Sequence, residues 1–333
     1  MPESDMLLQI RDVSNVYVSQ AYGIFGKKTE NHVLDHITVE IPQGELFGLV
    51  GESGCGKTTL ARSILGLTDY EGEIVIDGLR QDRKQRKRMA RKVQAVFQDL
   101  SGSLNPTKRI GWLMEEPLKI HGIKNKQERD RKVDETLSLV GLDPSYKTRK
   151  VSELSGGQKQ RVCIGCALML DPKLIIADEA ISALDVSVGA QILNLFRDLH
   201  ARLGLSLVFI SHNLNVVYYL CDRIAVMYRG QIVELGAAED IYSAPVHPYT
   251  QALLAAVPEL TGDQDPSAYA ADFGEENNEG RPGTDTGGHI DGCRFAGRCP
   301  QKDNCNSDAK QRLVNIAPAG GAAHYVRCGF GRG

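Results

Sequence analysis

The stretch that most restricts how this chain can fold runs from Leu46 to Leu67. There an apolar run, Leu46-Phe-Gly-Leu-Val50, leads without a break into Gly51-Glu52-Ser53-Gly54-Cys55-Gly56-Lys57-Thr58. The pattern G-x-x-x-x-G-K-S/T requires a strand, a turn tight enough to need glycine, and a helix. Gly51, Gly54 and Gly56 let successive backbone N–H groups point into one concavity, and the following helix aims its positive end at the same spot. Such a concavity binds phosphate. Lys57 is expected to reach the β- and γ-phosphates of a nucleotide, and the Thr58 hydroxyl to take a place on Mg²⁺, with Thr59 adding a weaker hydroxyl contact. Ser53 and Cys55 fill the variable positions of the loop. Cys55 reads as a tolerated small residue, although a thiol beside phosphates is open to oxidants. Leu60, Ile64, Leu65 and Leu67 supply the apolar positions of the helix.

With 333 residues, 42% hydrophobic and 24% charged, the chain has ordinary globular composition and length for more than one domain. A net charge of -3 argues against a general nucleic-acid binder. The apolar runs fall short of the ~20 residues a membrane helix needs. The opening residues, Met-Pro-Glu-Ser-Asp, lack the basic and apolar regions of a secretory signal, so the expected compartment is the cytosol.

Residues 7–41 alternate apolar and polar positions as short antiparallel strands with one wet face do. Residues 23–31 interrupt them as a Gly- and Lys-rich loop. Gly72 to Gly78 reads as a strand ending in an Asp-Gly turn. Arg80 to Lys92 holds eight basic residues and one acid without interleaved aromatics, the mark of a solvated helix face rather than a nucleic-acid patch. Val93 to Phe97 is a buried-strand candidate that delivers Gln98 to the edge of a sheet. A helical insertion follows over about 105–165, in which Val133, Leu137 and Val140 share one face and Gly141 stops the helix. Buried parallel strands resume at Leu174–Ala177, Leu205–Ile210 and Ile224–Met227, and a hairpin closes the series. The division expected is 1–258 as a nucleotide-binding domain, 259–288 as a Gly-, Asp-, Glu- and Asn-rich linker, and 289–333 as a small cysteine-bearing extension. The fold class is α/β, with a parallel-sheet core, an antiparallel β subdomain and a helical subdomain.

Four further stretches stand in the order that a nucleotide-hydrolysing machine requires. Leu174-Ile-Ile-Ala-Asp178-Glu179 is an apolar strand ending in two carboxylates, Asp178 for the Mg²⁺ shell and Glu179 to orient the attacking water. Leu154-Ser155-Gly156-Gly157-Gln158 opens a helix and offers a hydroxyl and free N–H groups at its positive end, a second anion site. With Gln98, Ser182-Ala183-Leu184-Asp185 and Ser211-His212, these motifs closely resemble the ATPase subunits of ABC transporters over about residues 7–258. The matching family features are the signature motif, the Q-loop, the D-loop and the switch histidine. The fold this resemblance implies is a P-loop NTPase with a RecA-like core. It further implies a head-to-tail dimer in which each ATP lies between one chain's Walker loop and the other's signature helix. Lys57, Thr58, Gln98, Asp178, Glu179 and His212 would act in cis, with Gln98 also near Mg²⁺, while Ser155, Gly156, Gly157 and Gln158, with Asp185, would serve the shared site. A groove near Gln98, lined by the segment after Ser101, would receive a helix of a membrane subunit. An aromatic that stacks on adenine is expected before the loop. Tyr17 fits best, with Tyr22 and Phe25 as alternatives.

Within that family the chain resembles the oligopeptide/dipeptide permease ATPases, in particular the F-type partner of a D/F pair. The resemblance rests on Phe97-Gln98-Asp99 leading to Ser103-Leu104-Asn105-Pro106, on Pro245-Val-His247-Pro248-Tyr249-Thr250, on the insertion at 23–31 and on the cysteine tail. It implies ATP-driven peptide uptake at the cytoplasmic face of the membrane. The implied partners are two permease subunits, a D-type ATPase and an extracytoplasmic solute-binding protein, with no nucleic acid involved. Nickel chelates, glutathione and short saccharides are alternative cargoes, and a soluble ABC ATPase is the alternative from another class. Two departures stand out. Ala180-Ile181 replaces the usual Pro-Thr, and Gly165-Cys166 the usual Ala-Arg, which removes a charge expected near the catalytic carboxylates.

The tail spaces its thiols as Cys293-x5-Cys299-x5-Cys305-x22-Cys328. Four thiolates suit Zn²⁺ or an iron–sulfur cluster, and gaps of five are poor for structural zinc. The resemblance implies a 4Fe–4S cluster. Zn²⁺ or reduced, packed thiols stay open, and His324 is a lesser ligand candidate.

Overall fold

The computed structural model describes residues 6–20, 28–98, 102, 104–256, 292–305, 311–318 and 321–329. The expected linker at 259–288, Tyr22, Phe25, most of the insertion at 23–31, Asp99, Ser101 and Ser103 lie outside the described residues. Two sheets are built. The smaller is antiparallel, in the order β2-β1-β4-β5, from β1 (Met6–Gln20), β2 (Lys28–Pro42), β4 (Glu71–Ile76) and β5 (Leu79–Arg80). Its apolar alternation buries Leu8, Ile10, Val39, Ile41, Ile74 and Ile76 on one face. The first two strands are longer than the alternation suggests. Register shifts around Val13 let each bend and continue while its apolar side stays inward.

The larger sheet runs β11-β12-β10-β9-β3-β8-β7-β6. Its core is parallel: β6 (Val93–Phe97), β7 (Leu174–Asp178), β8 (Ser206–Ser211), β3 (Leu46–Val50) and β9 (Arg223–Tyr228). Every residue of β3, β7 and β8 is buried, as expected of strands covered on both faces. Helices α1 (Lys57–Ile64), α6 (Val186–Leu203) and α7 (Leu214–Leu220) provide covering layers. The basic segment forms α2 (Arg86–Lys92), anchored by Met89 alone, with most of its cations in solvent. The insertion folds as α3 (Ile110–Ile120), α4 (Lys126–Leu139) and α5 (Gly156–Leu168). Asn125 caps α4, and Val133, Leu137 and Val140 pack inward from one face as their spacing requires.

β10 (Gln231–Ala237) turns back on β9 through Arg229 and Gly230, both with positive φ (42° and 81°). β12 (Tyr325–Val326) then pairs antiparallel with β10, and β11 (Val314–Asn315) with β12. The cysteine-bearing extension therefore continues the main sheet. Two short helices precede it, α8 (Ala238–Ser243) and α9 (Pro248–Ala255).

Candidate nucleotide site

β3 lies between β8 and β9, so the loop after Val50 emerges at the carboxyl edge of the parallel sheet, where ligands of α/β proteins bind. Glycine is obligatory at two of its positions. A Cβ on Gly51 (φ 154°) would sit 2.1 Å from the Met227 carbonyl oxygen, and one on Gly56 (φ 112°) 2.7 Å from that of Val33. The hairpin turn braces the loop from outside, with Gly230 N–H donating to the Cys55 carbonyl at 2.7 Å. Lys57 is buried, and its ammonium donates to the carbonyls of Gly51 (2.6 Å) and Glu52 (3.0 Å), so the charge lies across the mouth of the loop. Ser53, Gly54 and Thr58 are exposed and Thr59 is half-buried. The first amides of α1 have no partner within the helix. Cys55 is buried against this backbone, and burial pushes its thiol up, which keeps it protonated and poorly reactive.

The neighbouring strand tips bring the acidic groups to the same edge. In the strand registers Phe97 lies opposite Asp178, and Asp178 opposite Ile210, so Gln98, Glu179 and His212 follow just beyond paired strand ends. Asp178 is buried, and burial pushes its carboxyl up. The neighbouring Thr58 hydroxyl and the Lys57 charge oppose that rise, while the Glu179 charge adds to it. Its Oδ1 is buried without a hydrogen-bond partner. An orphaned carboxylate oxygen beside a threonine hydroxyl is the donor set a hard cation such as Mg²⁺ takes, so Thr58 and Asp178 fit the ion. Glu179 sits at φ 49°, held by its N–H to the Ile210 carbonyl (3.0 Å). His212 Nδ1 lies 3.5 Å from Glu179 Oε1. That contact holds the Glu179 carboxyl below the usual range against the effect of burial. Gln98 is exposed at the edge.

The signature stretch is a well-capped helix start. Ser155 Oγ accepts from Gln158 N–H (3.4 Å), and Gln158 Oε1 from Ser155 N–H (3.1 Å). Gln158 Nε2 donates onward to the Tyr146 hydroxyl (3.1 Å), while Ser155 and Gly156 face solvent. This end is tied to Glu179 through the chain. Ala180 and Ile181 are buried in the core, Ser182 N–H and Oγ both return to the Glu179 carbonyl, and Leu184 packs beside Gly156. Asp185 caps α6 by accepting from Val188 N–H (3.0 Å). Val188 itself leaves no room at Gly157, where a Cβ would come within 2.5 Å of its Cγ1.

Other sequence expectations fare differently. The Tyr17 side chain is exposed, with its hydroxyl 3.5 Å from that of Thr68, which follows the C-terminal end of α1; this contact is with the opposite end of α1 from the phosphate loop. Gly165 and Cys166 face the helical subdomain. A Cβ on Gly165 would meet Met114 Cε at 3.1 Å, so the glycine of this departure sits at the packing of α5 on α3. Among the described residues no three His, Cys, Asp or Glu side chains converge as a metal-binding group. The tail thiols are neighbours, since Cys293 feels Cys299 and Cys305, and Cys305 feels Cys299 and Cys328, but they do not form a closed ligand set. His324 is engaged elsewhere, its Nε2 being 2.8 Å from the buried Glu234 carboxylate.

Sequence reasoning missed a second group around the loop. Glu52 N–H donates to the Tyr249 hydroxyl (2.9 Å), and the Glu52 carboxylate accepts from Arg298 (2.9 and 3.1 Å). Nothing in local pattern signals a pairing across 246 positions.

A glycine loop that cradles phosphate, a lysine across its mouth, a carboxylate–threonine pair for Mg²⁺ and a glutamate–histidine pair at the next strand tips define a P-loop nucleoside triphosphatase. Residues 34–182 match the ABC transporter family, and residues 233–305 match the oligopeptide/dipeptide transporter C-terminal region. A peptide import ATP-binding protein of Brucella ovis is 40% identical over 97% of both chains. The oligopeptide transport ATP-binding protein OppF of Streptococcus mutans is 45% identical over 76% of this chain and 82% of its own. Among solved structures, the ATP-binding cassette MJ0796, a dimer in a post-hydrolysis state with ADP and Pi, superposes with a TM-score of 0.61. It is 28% identical and covers 69% of this chain and 98% of its own. The chain belongs to the ATPase subunits of ABC transporters, in the branch that carries the oligopeptide/dipeptide C-terminal region.

Proposed function

We propose that this ATPase energises import of short peptides through membrane permease subunits. The observation that carries the reading is whole-length similarity to a protein named for peptide import, together with the match of its C-terminal region to that of oligopeptide/dipeptide transporters. No helix among the described residues is long and apolar enough to cross a membrane, and this reading assigns translocation to the permease subunits. Lys57 and the loop amides bind the β- and γ-phosphates, and Thr58 and Asp178 hold Mg²⁺, which neutralises charge on the phosphate oxygens when bound. Glu179 accepts a proton from the attacking water, His212 holds Glu179 ionised, and Gln98 approaches from the third strand tip. Ser155, Gly156, Gly157 and Gln158 grip the nucleotide of a second ATPase copy, with Asp185 fixing the helix behind them. The exposure of that capped helix end supports this role.

The remaining partners, a D-type ATPase and an extracytoplasmic binding protein at a complex on the cytoplasmic membrane face, follow from the family reading. A metal or 4Fe–4S cluster on Cys293, Cys299, Cys305 and Cys328 is supported by the donor set alone, and metal analysis with a visible spectrum tests it. Cargo is tested by uptake into vesicles that contain the copurified permease. Peptide-dependent ATP hydrolysis supports the reading, and its absence with a panel of di- to pentapeptides overturns it. Glutathione belongs in that panel, because a glutathione import protein of Pectobacterium atrosepticum is 44% identical over 71% of this chain, although the match spans only 39% of that protein.

A further inference from the structure

We propose that Arg298 and Tyr249 are positioning residues for the phosphate loop, acting through Glu52, so that the C-terminal extension sets how tightly ATP is held. Glu52 is the second residue of the loop and is gripped twice. Its N–H donates to the Tyr249 hydroxyl at 2.9 Å, and its two carboxylate oxygens lie 2.9 and 3.1 Å from Arg298 Nη1. The Glu52 carbonyl in turn accepts from Lys57, so the chain of contacts runs from the tail to the phosphate-binding ammonium in two steps. The far ends of both grips are fixed. Tyr249 is 1% exposed and packs 4.5 Å from the Tyr228 ring, and Phe295, three residues before Arg298, packs edge-on against both tyrosines. Arg298 Cζ also lies 5.8 Å from the centre of the Phe295 ring.

The chemistry of the loop gives this arrangement a purpose. A carboxylate in a loop built to accept phosphate opposes the ligand's charge, and an arginine on it removes that opposition. The tyrosine hydroxyl takes up the first N–H after Gly51 and so fixes the plane of that peptide. The pair is half-exposed, with side chains 54% and 42% accessible, so its effect is of moderate size and screened by salt.

The test is steady-state hydrolysis and mant-ATP binding by the full-length chain. Arg298→Ala is expected to raise the KM for ATP and the mant-ATP Kd about fivefold, as loss of one partly exposed charge pair implies, with kcat within about twofold on the same scale. Arg298→Lys recovers part of the loss, Arg298→Glu combined with Glu52→Arg recovers more than either single change, and the KM difference shrinks at 0.5 M salt (~4 Å Debye length). Should Arg298→Ala fail to fold, Tyr249→Phe, which keeps the ring, is expected to show the same KM-only change. Unchanged KM in both variants, a fall in kcat at constant KM, or additive effects of Arg298→Ala and Glu52→Gln would overturn the proposal.

Discussion

Glu179 illustrates how a single residue is set for its task by its surroundings. Burial alone would favour the protonated acid, yet the contact with His212 outweighs it and leaves a carboxylate that stays ionised below its ordinary range. Replacing Glu179 with Gln keeps size and burial and removes the proposed proton acceptor. Phosphate release should fall by about 10²–10⁴ while ATP binding persists, seen as nucleotide retained on the protein after gel filtration. In His212→Ala burial is opposed by the Lys57 charge without the histidine contact, so the titration midpoint of a carbon-13-labelled Glu179 carboxyl should rise; an unmoved midpoint would detach the histidine from the carboxylate. These residues were legible in the sequence because each sits at a fixed step beyond an apolar strand. Helical spacing says which residues share a face but not which neighbour that face meets, and at Gly165 it meets Met114 of α3.

At the scale of elements, two helix starts flank the nucleotide edge, and their caps differ in pH response. The Ser155–Gln158 capping box carries no titrating group. The cap of α9 is His247, whose Nδ1 accepts from Tyr249 N–H at 3.0 Å and must be unprotonated to do so. Burial lowers its pKa to about 4; the nearby Glu234 charge opposes this, and Arg327 reinforces it. The folded state therefore binds its proton later than the unfolded chain, and this contribution to stability is full above pH 6.5 and lost as pH falls from there to about 4. At pH 5 the loss is about 2 kcal/mol. His247→Asn, which can still cap, should flatten the fall in melting temperature between pH 7 and 5. α9 was readable from His247-Pro248 ahead of an apolar run, since proline suits the first helical turn. That its capping residue is buried under Phe295 of the distant tail was not.

For the molecule as a whole, the decisive feature is that the last strands extend the larger sheet. β11 and β12 hold two residues each, too few for any periodicity to announce them, and the partners that dock them are single charged residues far apart in the chain. Arg294 meets Asp35 at 2.6 Å, Arg298 meets Glu52, and His324 meets Glu234, which is wholly buried. Glu234 is the central one. Burial raises its carboxyl, but the contact with His324 and hydrogen bonds from the N–H groups of Val246 and His247 outweigh that and hold it below the usual carboxylate range. Its contribution is thus present above the unfolded value and lost as pH falls through the lower folded one. One carboxylate so shared ties β10, α9 and the tail into a single cooperative unit. His324→Leu removes one charge-assisted bond from a carboxylate that keeps its other donors, so the cost should be about 2 kcal/mol. Calorimetry should show one transition at lower temperature. A separate early transition with the main one unmoved would mean that the tail is an appendage after all, and that its hold on the phosphate loop is correspondingly loose.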